Sequence, residues 1–313
     1  MKKNLVIITG PTAVGKTSLS INLAKAINGE IISADCMQVY KHMDIGTAKI
    51  TTEEMQGIKH YLIDVMEPTE DFHVVRFKEM VEKAIDEIYS KGKIPIICGG
   101  TGFYIQAVLY DIQFTNQEIN EDYRKELEEF ANLYGNEALH DKLRMVDLES
   151  AESIPCANRK RVIRALEYFK QTGEKFSVHN RLQRQRSSPY NFAFFVLNDD
   201  RNLLYDRINK RVDIMIENGL VDEVVNLLKI GVQPTNTSMD GIGYKEILSY
   251  INNDSSLDDS IELIKKNSRN YAKRQLTWFR REKEVIWLDK TLLKNDDMIL
   301  KEIFNALKVK GII

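Results

Sequence analysis

The chain has 313 residues, of which 43% are hydrophobic and 29% charged, and its 44 Lys and Arg nearly balance 46 Asp and Glu. At roughly 150 residues per domain the length predicts about two domains with cores of their own, and a composition this close to the globular average excludes a disordered or fibrous chain. No apolar run approaches ~18 residues, and the apolar stretch after Met1-Lys2-Lys3 is too short for a secretory leader, so a cytoplasmic protein with no membrane partner is expected.

Leu5 to Thr9 reads as a buried strand, and Lys16 to Ile27 as a helix from the spacing of Leu19, Leu23 and Ile27. Ile31 to Ala34, His60 to Val65 and Ile94 to Cys98 read as further strands, with an amphipathic helix from Val74 to Tyr89 between the last two. After Gly99-Gly100-Thr101-Gly102 a helix is expected as far as Tyr110, where the alternation of strand and helix stops. From Glu118 to His179 the pattern is helical only, with segments at Asp122 to Asn132, Glu137 to Met145 and Asn158 to Gln171, the last closed by Gly173. A strand returns at Asn191 to Leu197, Asp199 or Asp200 caps a helix through Ile216, and a late strand follows at Val285 to Leu288. This order predicts an α/β fold. A P-loop-containing parallel sheet core, residues 1–114 and 191–313 with C-terminal helices, carries a helical insertion domain at 115–190.

Cys36, Cys98 and Cys156 form no C-x-x-C pair and read as reduced thiols, while His42, His60, His73, His140 and His179 lack metal-ligand spacing. Any required metal is therefore expected to be an oxygen-bound ion. The sharpest motif is Gly10-Pro11-Thr12-Ala13-Val14-Gly15-Lys16-Thr17, which fits G-x-x-x-x-G-K-[ST] and lies between an apolar strand and a helix N-terminus. These eight residues are candidates for holding a diphosphate. Backbone N–H groups and the helix dipole attract phosphate, Lys16 adds a point charge, and Thr17 offers a hydroxyl to Mg2+. The loop specifies phosphate or diphosphate, but neither a nucleotide nor hydrolysis. Asp64, after Tyr61-Leu62-Ile63, is a candidate metal ligand at a strand end or a structural turn residue. Asp35 in Ser33-Ala34-Asp35-Cys36 is a candidate general base or a helix cap.

Further motifs follow in order: Ser33-Ala34-Asp35 with Gln38 and Tyr40, Gly46-Thr47-Ala48-Lys49, His60 through Asp64, Gly99 through Tyr104, Arg159 through Glu167, Gly241-Ile242-Gly243-Tyr244, and Lys273 through Arg280. With the phosphate loop they resemble the bacterial tRNA dimethylallyltransferase family, also called tRNA isopentenyltransferases, along most of the chain. The resemblance implies transfer of a dimethylallyl group from its diphosphate to N6 of adenosine 37, beside the anticodon, in tRNAs reading codons that begin with U. It implies Asp35 as the base for the N6 proton and Thr101 near the reacting centre. Arg207 and Arg211 share one helix face, which from spacing alone reads better as a solvated basic face; the resemblance favours Arg211 as the diphosphate ligand. Cys36 departs from the serine usual in the family, a change expected to weaken one hydroxyl contact without abolishing activity.

Residues 156–190 hold nine Lys and Arg against two Glu, and residues 265–283 hold eight against one. Either cluster alone is an ordinary solvated helix face, but two of them in a chain of net charge −2 fit binding to a phosphate backbone. Likeness and charge together place the anticodon stem-loop of tRNA on Asp35, Cys36, Met37, Gln38 and Thr101, and on Arg124, Arg159, Lys160, Arg161, Val162 and Ile163 of the insertion. Gly241, Ile242, Gly243, Tyr244 and Lys245 are further candidates, as are Arg274, Gln275, Thr277, Trp278, Arg280 and Arg281. Tyr271, Trp278 and Phe279 suit either core packing or stacking near an extruded base. A monomer is expected. A mononucleotide prenyltransferase, a P-loop kinase and a non-catalytic RNA-binding module are the alternatives, and the basic insertion argues against the first of them.

Overall fold

The computed structural model describes residues 2–114 and 121–313. In chain order its elements are β1 (Lys3–Thr9), α1 (Lys16–Ala26), β2 (Gly29–Ala34), β3 (His60–Tyr61), α2 (Val74–Ser90), β4 (Ile94–Gly99) and α3 (Gly102–Leu109). Four helices follow: α4 (Glu121–Val146), α5 (Leu148–Ser153), α6 (Arg159–Thr172) and α7 (Phe176–Arg184). The chain then forms β5 (Tyr190–Asn198), α8 (Arg201–Glu217), α9 (Leu220–Lys229), α10 (Tyr244–Ile251), α11 (Leu257–Phe279), β6 (Val285–Asp289) and α12 (Asp296–Val309). It divides into two compact units, one of residues up to Leu109 with Pro189–Ile313, the other Tyr110–Ser188.

The first unit is built on a six-stranded sheet in the order β3-β2-β4-β1-β5-β6. Every pairing is parallel, so all the strands end at the same edge. In a parallel sheet both faces need cover, which explains why β1 and β2 are near-continuous apolar runs rather than alternating ones. One face packs Val6, Ile8, Ile31, Ile96 and Phe195 against Leu19 and Leu23 of α1, Leu204 and Ile208 of α8, and Ile299, Ile303 and Leu307 of α12.

Local chemistry sets the ends of these elements. Of the two aspartates expected to cap α8, Asp200 does so, its carboxylate accepting from the backbone N–H groups of Asn202 and Leu203. The strand expected at His60 to Val65 is cut to His60–Tyr61 because Leu62 (φ 62°) and Asp64 (φ 54°) are left-handed and turn the chain out of the sheet. The N–H groups of Val65 and Met66 donate instead to the Val39 carbonyl.

The second unit is helical throughout its described elements. The two helices expected at Asp122 to Asn132 and Glu137 to Met145 form α4, broken at Gly135 (φ 87°, ψ 166°). Asn158 caps α6 at its start and left-handed Gly173 at its end. The start of the helical stretch expected from Glu118 falls outside the described residues. Leu127, Ala131, Leu139, Leu143, Ile154, Val162 and Leu166 form the core. Although burial pushes the Asp147 carboxyl up, hydrogen bonds from Ser150 and Ser177 outweigh it and hold the group below the usual carboxylate range. Asp147 thereby ties α5 to α7. No helix among the described residues is long and apolar enough to cross a membrane.

Candidate active site

The loop after β1 reaches the carboxyl edge of the sheet, turns over Gly10, and enters α1 at left-handed Gly15 (φ 97°). Gly10 has φ 147°, and a Cβ there would lie 2.6 Å from the Leu197 carbonyl oxygen of β5, so only glycine fits. Lys16 folds back over the loop, its Nζ donating to the carbonyls of Gly10 (3.1 Å) and Pro11 (2.9 Å). Burial lowers its pKa to about 8, against 10.5 for an ordinary lysine. The positive charge of Arg211 also lowers it, while Cys98 and Asp35 act in the opposite sense. Lys16 is thus a cation held at a cost by burial, and a nearby anion would offset that cost.

Two neighbouring strand ends and helix α8 supply the remaining groups. After β2, Asp35 closes a short turn by accepting from the Met37 N–H (2.9 Å). Burial, and then the Asp35 charge, push the adjacent Cys36 thiol up to about 12, so it stays protonated at neutral pH. After β4, the Thr101 N–H donates to the Ala34 carbonyl (3.2 Å), joining this turn to the end of β2. The buried Thr101 hydroxyl has no hydrogen-bond partner, although it lies beside the Cys36 thiol and the Tyr271 phenol. From α8, Arg211 donates to the Thr12 hydroxyl (3.4 Å), whereas Arg207, one turn earlier, is ion-paired with Asp199.

Helix α11 packs over these turns. Gln275, 5% exposed, accepts from the Thr12 N–H (2.9 Å) and donates to the Gly100 carbonyl (3.1 Å), bridging the phosphate loop and the β4 turn. Trp278 sits on Gly102, where a Cβ would come within 2.3 Å of its indole, and meets Phe103 edge to face. Tyr271 faces Asp35, Cys36 and Thr101, and burial raises its phenol well above the ordinary value. On the same helix Arg274 and Thr277 are exposed, as are Arg280 and Arg281 just beyond it, and the Thr277 hydroxyl donates to the Lys273 carbonyl.

Several of the expected residues lie elsewhere or are otherwise engaged. In the helical unit Val162 and Ile163 are 0% and 3% exposed and belong to its core, facing no solvent. Arg124 makes a bidentate pair with the buried Glu167 (2.8 Å for each bond), and Arg159 donates to Asn132 and Asn136. Lys160 and Arg161 are exposed on α6. Asp64, a candidate metal ligand, is paired instead with Lys49 (2.5 Å). Gly241 is packed near the Met37 sulfur, Gly243 caps α10 with Glu246, Ile242 is half-buried, Lys245 is exposed, and Tyr244 is 1% exposed with its hydroxyl on Glu223 (2.6 Å). Sequence reasoning missed Glu223 altogether; it lies in the first turn of α9, where an acidic residue reads as a complement to the helix dipole.

No group of three or more His, Cys, Asp or Glu side chains that could cage a metal occurs among the described residues. Thr17, at the first turn of α1, is exposed. One hydroxyl beside a phosphate-binding loop fits an ion such as Mg2+, which takes most of its ligands from water and from the phosphates themselves.

A family model described as IPP transferase matches residues 38–282. A tRNA dimethylallyltransferase of Lachnoclostridium phytofermentans is 58% identical over 309 residues, covering 99% of both chains. The crystal structure of the full-length tRNA isopentenylpyrophosphate transferase of Bacillus halodurans superposes with a TM-score of 0.71 at 45% identity, over 99% of this chain and 100% of that one. A eukaryotic dimethylallyltransferase acting on tRNA, at 29% identity, gives a TM-score of 0.83 over 99% of this chain and 79% of its own. A phosphate loop, an acidic turn and a bridging helix gathered at one sheet edge, with likeness of this extent to several such enzymes, establish that the chain belongs to the IPP transferase family.

Proposed function

We propose that this enzyme transfers a dimethylallyl group from dimethylallyl diphosphate to N6 of adenosine 37 in tRNAs reading codons that begin with U, releasing diphosphate. The observation that carries the reading is the convergence of Lys16, Arg211 and Asp35. Asp35 acts electrostatically on both cations, so a base lies beside a site made for an anion. A kinase would need a water-positioning or metal-binding acid there, and Asp64 is already held by Lys49.

In the reaction the allylic C–O bond breaks as the N6–C bond forms, and the electron pair of the broken bond leaves with the diphosphate. Negative charge grows on that group, where the loop N–H groups, Lys16 and Arg211 meet it. A Mg2+ ion held by Thr17 and the phosphates would supply further charge neutralisation to the leaving group. The N6 proton, acidified as the new bond forms, passes to the Asp35 carboxylate. The orphaned Thr101 hydroxyl is a donor for the bridging oxygen of the donor substrate. The adenine must leave its stack to reach this edge, and Trp278 and Phe103 offer aromatic surface beside the β4 turn. The exposed cations of α6 and α11 hold the phosphates of the stem-loop.

The test supplies radiolabelled dimethylallyl diphosphate and Mg2+ with an anticodon stem-loop carrying A36-A37-A38, or with AMP. Label in the stem-loop alone supports the proposal, whereas label in AMP moves the enzyme to mononucleotide prenylation. Asp35→Ala should abolish transfer while leaving stem-loop affinity within about threefold, because phosphate contacts elsewhere carry the affinity.

A further inference from the structure

We infer that Glu223 is a positioning residue for the reaction, acting on Asp35 through the loop that follows β2. The inference rests on the reading of Asp35 as the base. Glu223 touches no reacting group. Its Oε2 accepts from the N–H groups of Asp44 (2.8 Å) and Ile45 (2.7 Å), and its Oε1 from the Gly46 N–H (3.0 Å) and the Tyr244 hydroxyl (2.6 Å). Four donors converge on it and no acceptor does, a pattern only a carboxylate satisfies in full. The packing is close: a Cβ on Gly46 would lie 2.6 Å from the Tyr244 ring.

The clamped segment in turn holds the catalytic turn. The Thr47 and Ala48 carbonyls accept from the Gln38 side-chain amide (3.3 and 3.4 Å). The Gln38 oxygen accepts from the Ser33 hydroxyl (3.3 Å), and that hydroxyl accepts from the Asp35 N–H (3.4 Å). A continuous path of hydrogen bonds and backbone therefore runs from α9 to the base, through Gly46, Thr47, Ala48, Gln38 and Ser33 to Asp35. Lys49 holds the other side of the loop through Asp44, Asp64 and the Tyr40 carbonyl. With that side fixed, Glu223 sets where the Thr47 and Ala48 carbonyls stand, and so where Gln38 and Asp35 stand. A small displacement of a base costs much in rate and little in affinity.

The experiment uses Glu223→Gln, whose NH2 group would face either the Asp44 and Ile45 amides or the Gly46 amide. Tyr244→Phe, which removes one donor and spares the three amides, is the milder companion should Glu223→Gln fold poorly. Amide hydrogen exchange of the ligand-free protein should quicken about tenfold at Asp44–Gly46 and also at Met37, whose N–H closes the Asp35 turn. Faster exchange confined to residues 44–46 overturns the inference. In single-turnover transfer to the stem-loop, Glu223→Gln should be slower by about tenfold or more with affinity changed by less than about threefold. Added to Gln38→Ala, it should cost no more than Gln38→Ala alone; fully additive losses mean that Glu223 does not act through Gln38. If the wild-type enzyme failed to label the stem-loop, the proposed function would fall, while the exchange data would still decide whether Glu223 positions the turn.

Discussion

Lys16 offers the most searching test of the site, because its charge is costly where it is buried and useful against a diphosphate. Its pKa of about 8, against the ordinary 10.5, means that keeping it protonated in the fold costs about 3 kcal/mol at roughly 1.4 kcal/mol per unit. The native pKa is depressed, so between pH 8 and 10.5 the unfolded chain binds more protons than the folded one, and wild-type stability rises with pH across that window. Lys16→Met removes the titration. It also strips a donor from the Gly10 and Pro11 carbonyls, an offset that does not depend on pH. The pH-dependent part of the difference is therefore the informative quantity: relative to wild type, Lys16→Met should lose about 2 kcal/mol of its advantage between pH 7 and about pH 9.5. Urea unfolding followed by tryptophan fluorescence measures it, since both tryptophans, Trp278 and Trp287, lie in the sheet-bearing unit. Other groups that titrate in this range are common to both proteins and cancel. A gap that stays constant or widens with pH would refute the argument that burial dominates at Lys16. In the same protein, affinity for inorganic diphosphate should fall as pH rises above 8 in wild type and be weak at every pH in Lys16→Met.

Gln275→Ala should destabilise the sheet-bearing unit by about 2–4 kcal/mol, since it deletes two hydrogen bonds and orphans the Thr12 N–H and the Gly100 carbonyl; the same fluorescence assay reads it, and a loss below about 0.5 kcal/mol would deny the bridge. Arg124→Ala leaves the 1%-exposed Glu167 unpaired and should cost the helical unit about 3–5 kcal/mol, most of it recovered in Arg124→Ala/Glu167→Gln as seen in thermal melts. Arg161→Ala changes an exposed cation in the first turn of α6; it should leave the melting temperature unchanged, weaken stem-loop binding, and lower the slope of log affinity against log salt by about 1.

What the sequence disclosed was whatever is written in short backbone-level signals. The phosphate loop is legible because Gly10 and Gly15 are needed for its path and Lys16 and Thr17 for its chemistry, all within eight positions of a strand end. The Gly173 cap was legible for the same reason. Contacts between distant elements were not. Arg124 reads as one more cation of the insertion, and nothing local says that residue 167 will be buried beneath it. Val162 and Ile163 stand between cations in a motif, but α6 turns the apolar face inward and leaves Lys160 and Arg161 outside.

The arginines of α8 show how one local choice settles a distant one. Arg207 and Arg211 are four residues apart on one face, so helical spacing cannot tell a diphosphate ligand from a structural ion pair. The difference lies upstream, in the adjacent Asp199 and Asp200. Either carboxylate is chemically able to cap the helix, yet Asp200 takes the N–H groups of Asn202 and Leu203. Asp199, 8% exposed at its side chain, is thereby left to bind a cation, and Arg207 is the one within reach. A neutralised Arg207 cannot compete for an anion at the phosphate loop, so Arg211 is left to lean on Thr12. Exchanging the roles of the two aspartates would hand the cap to the wrong residue, free Arg207 and bury an unpaired carboxylate, a cost that falls on folding before it reaches catalysis.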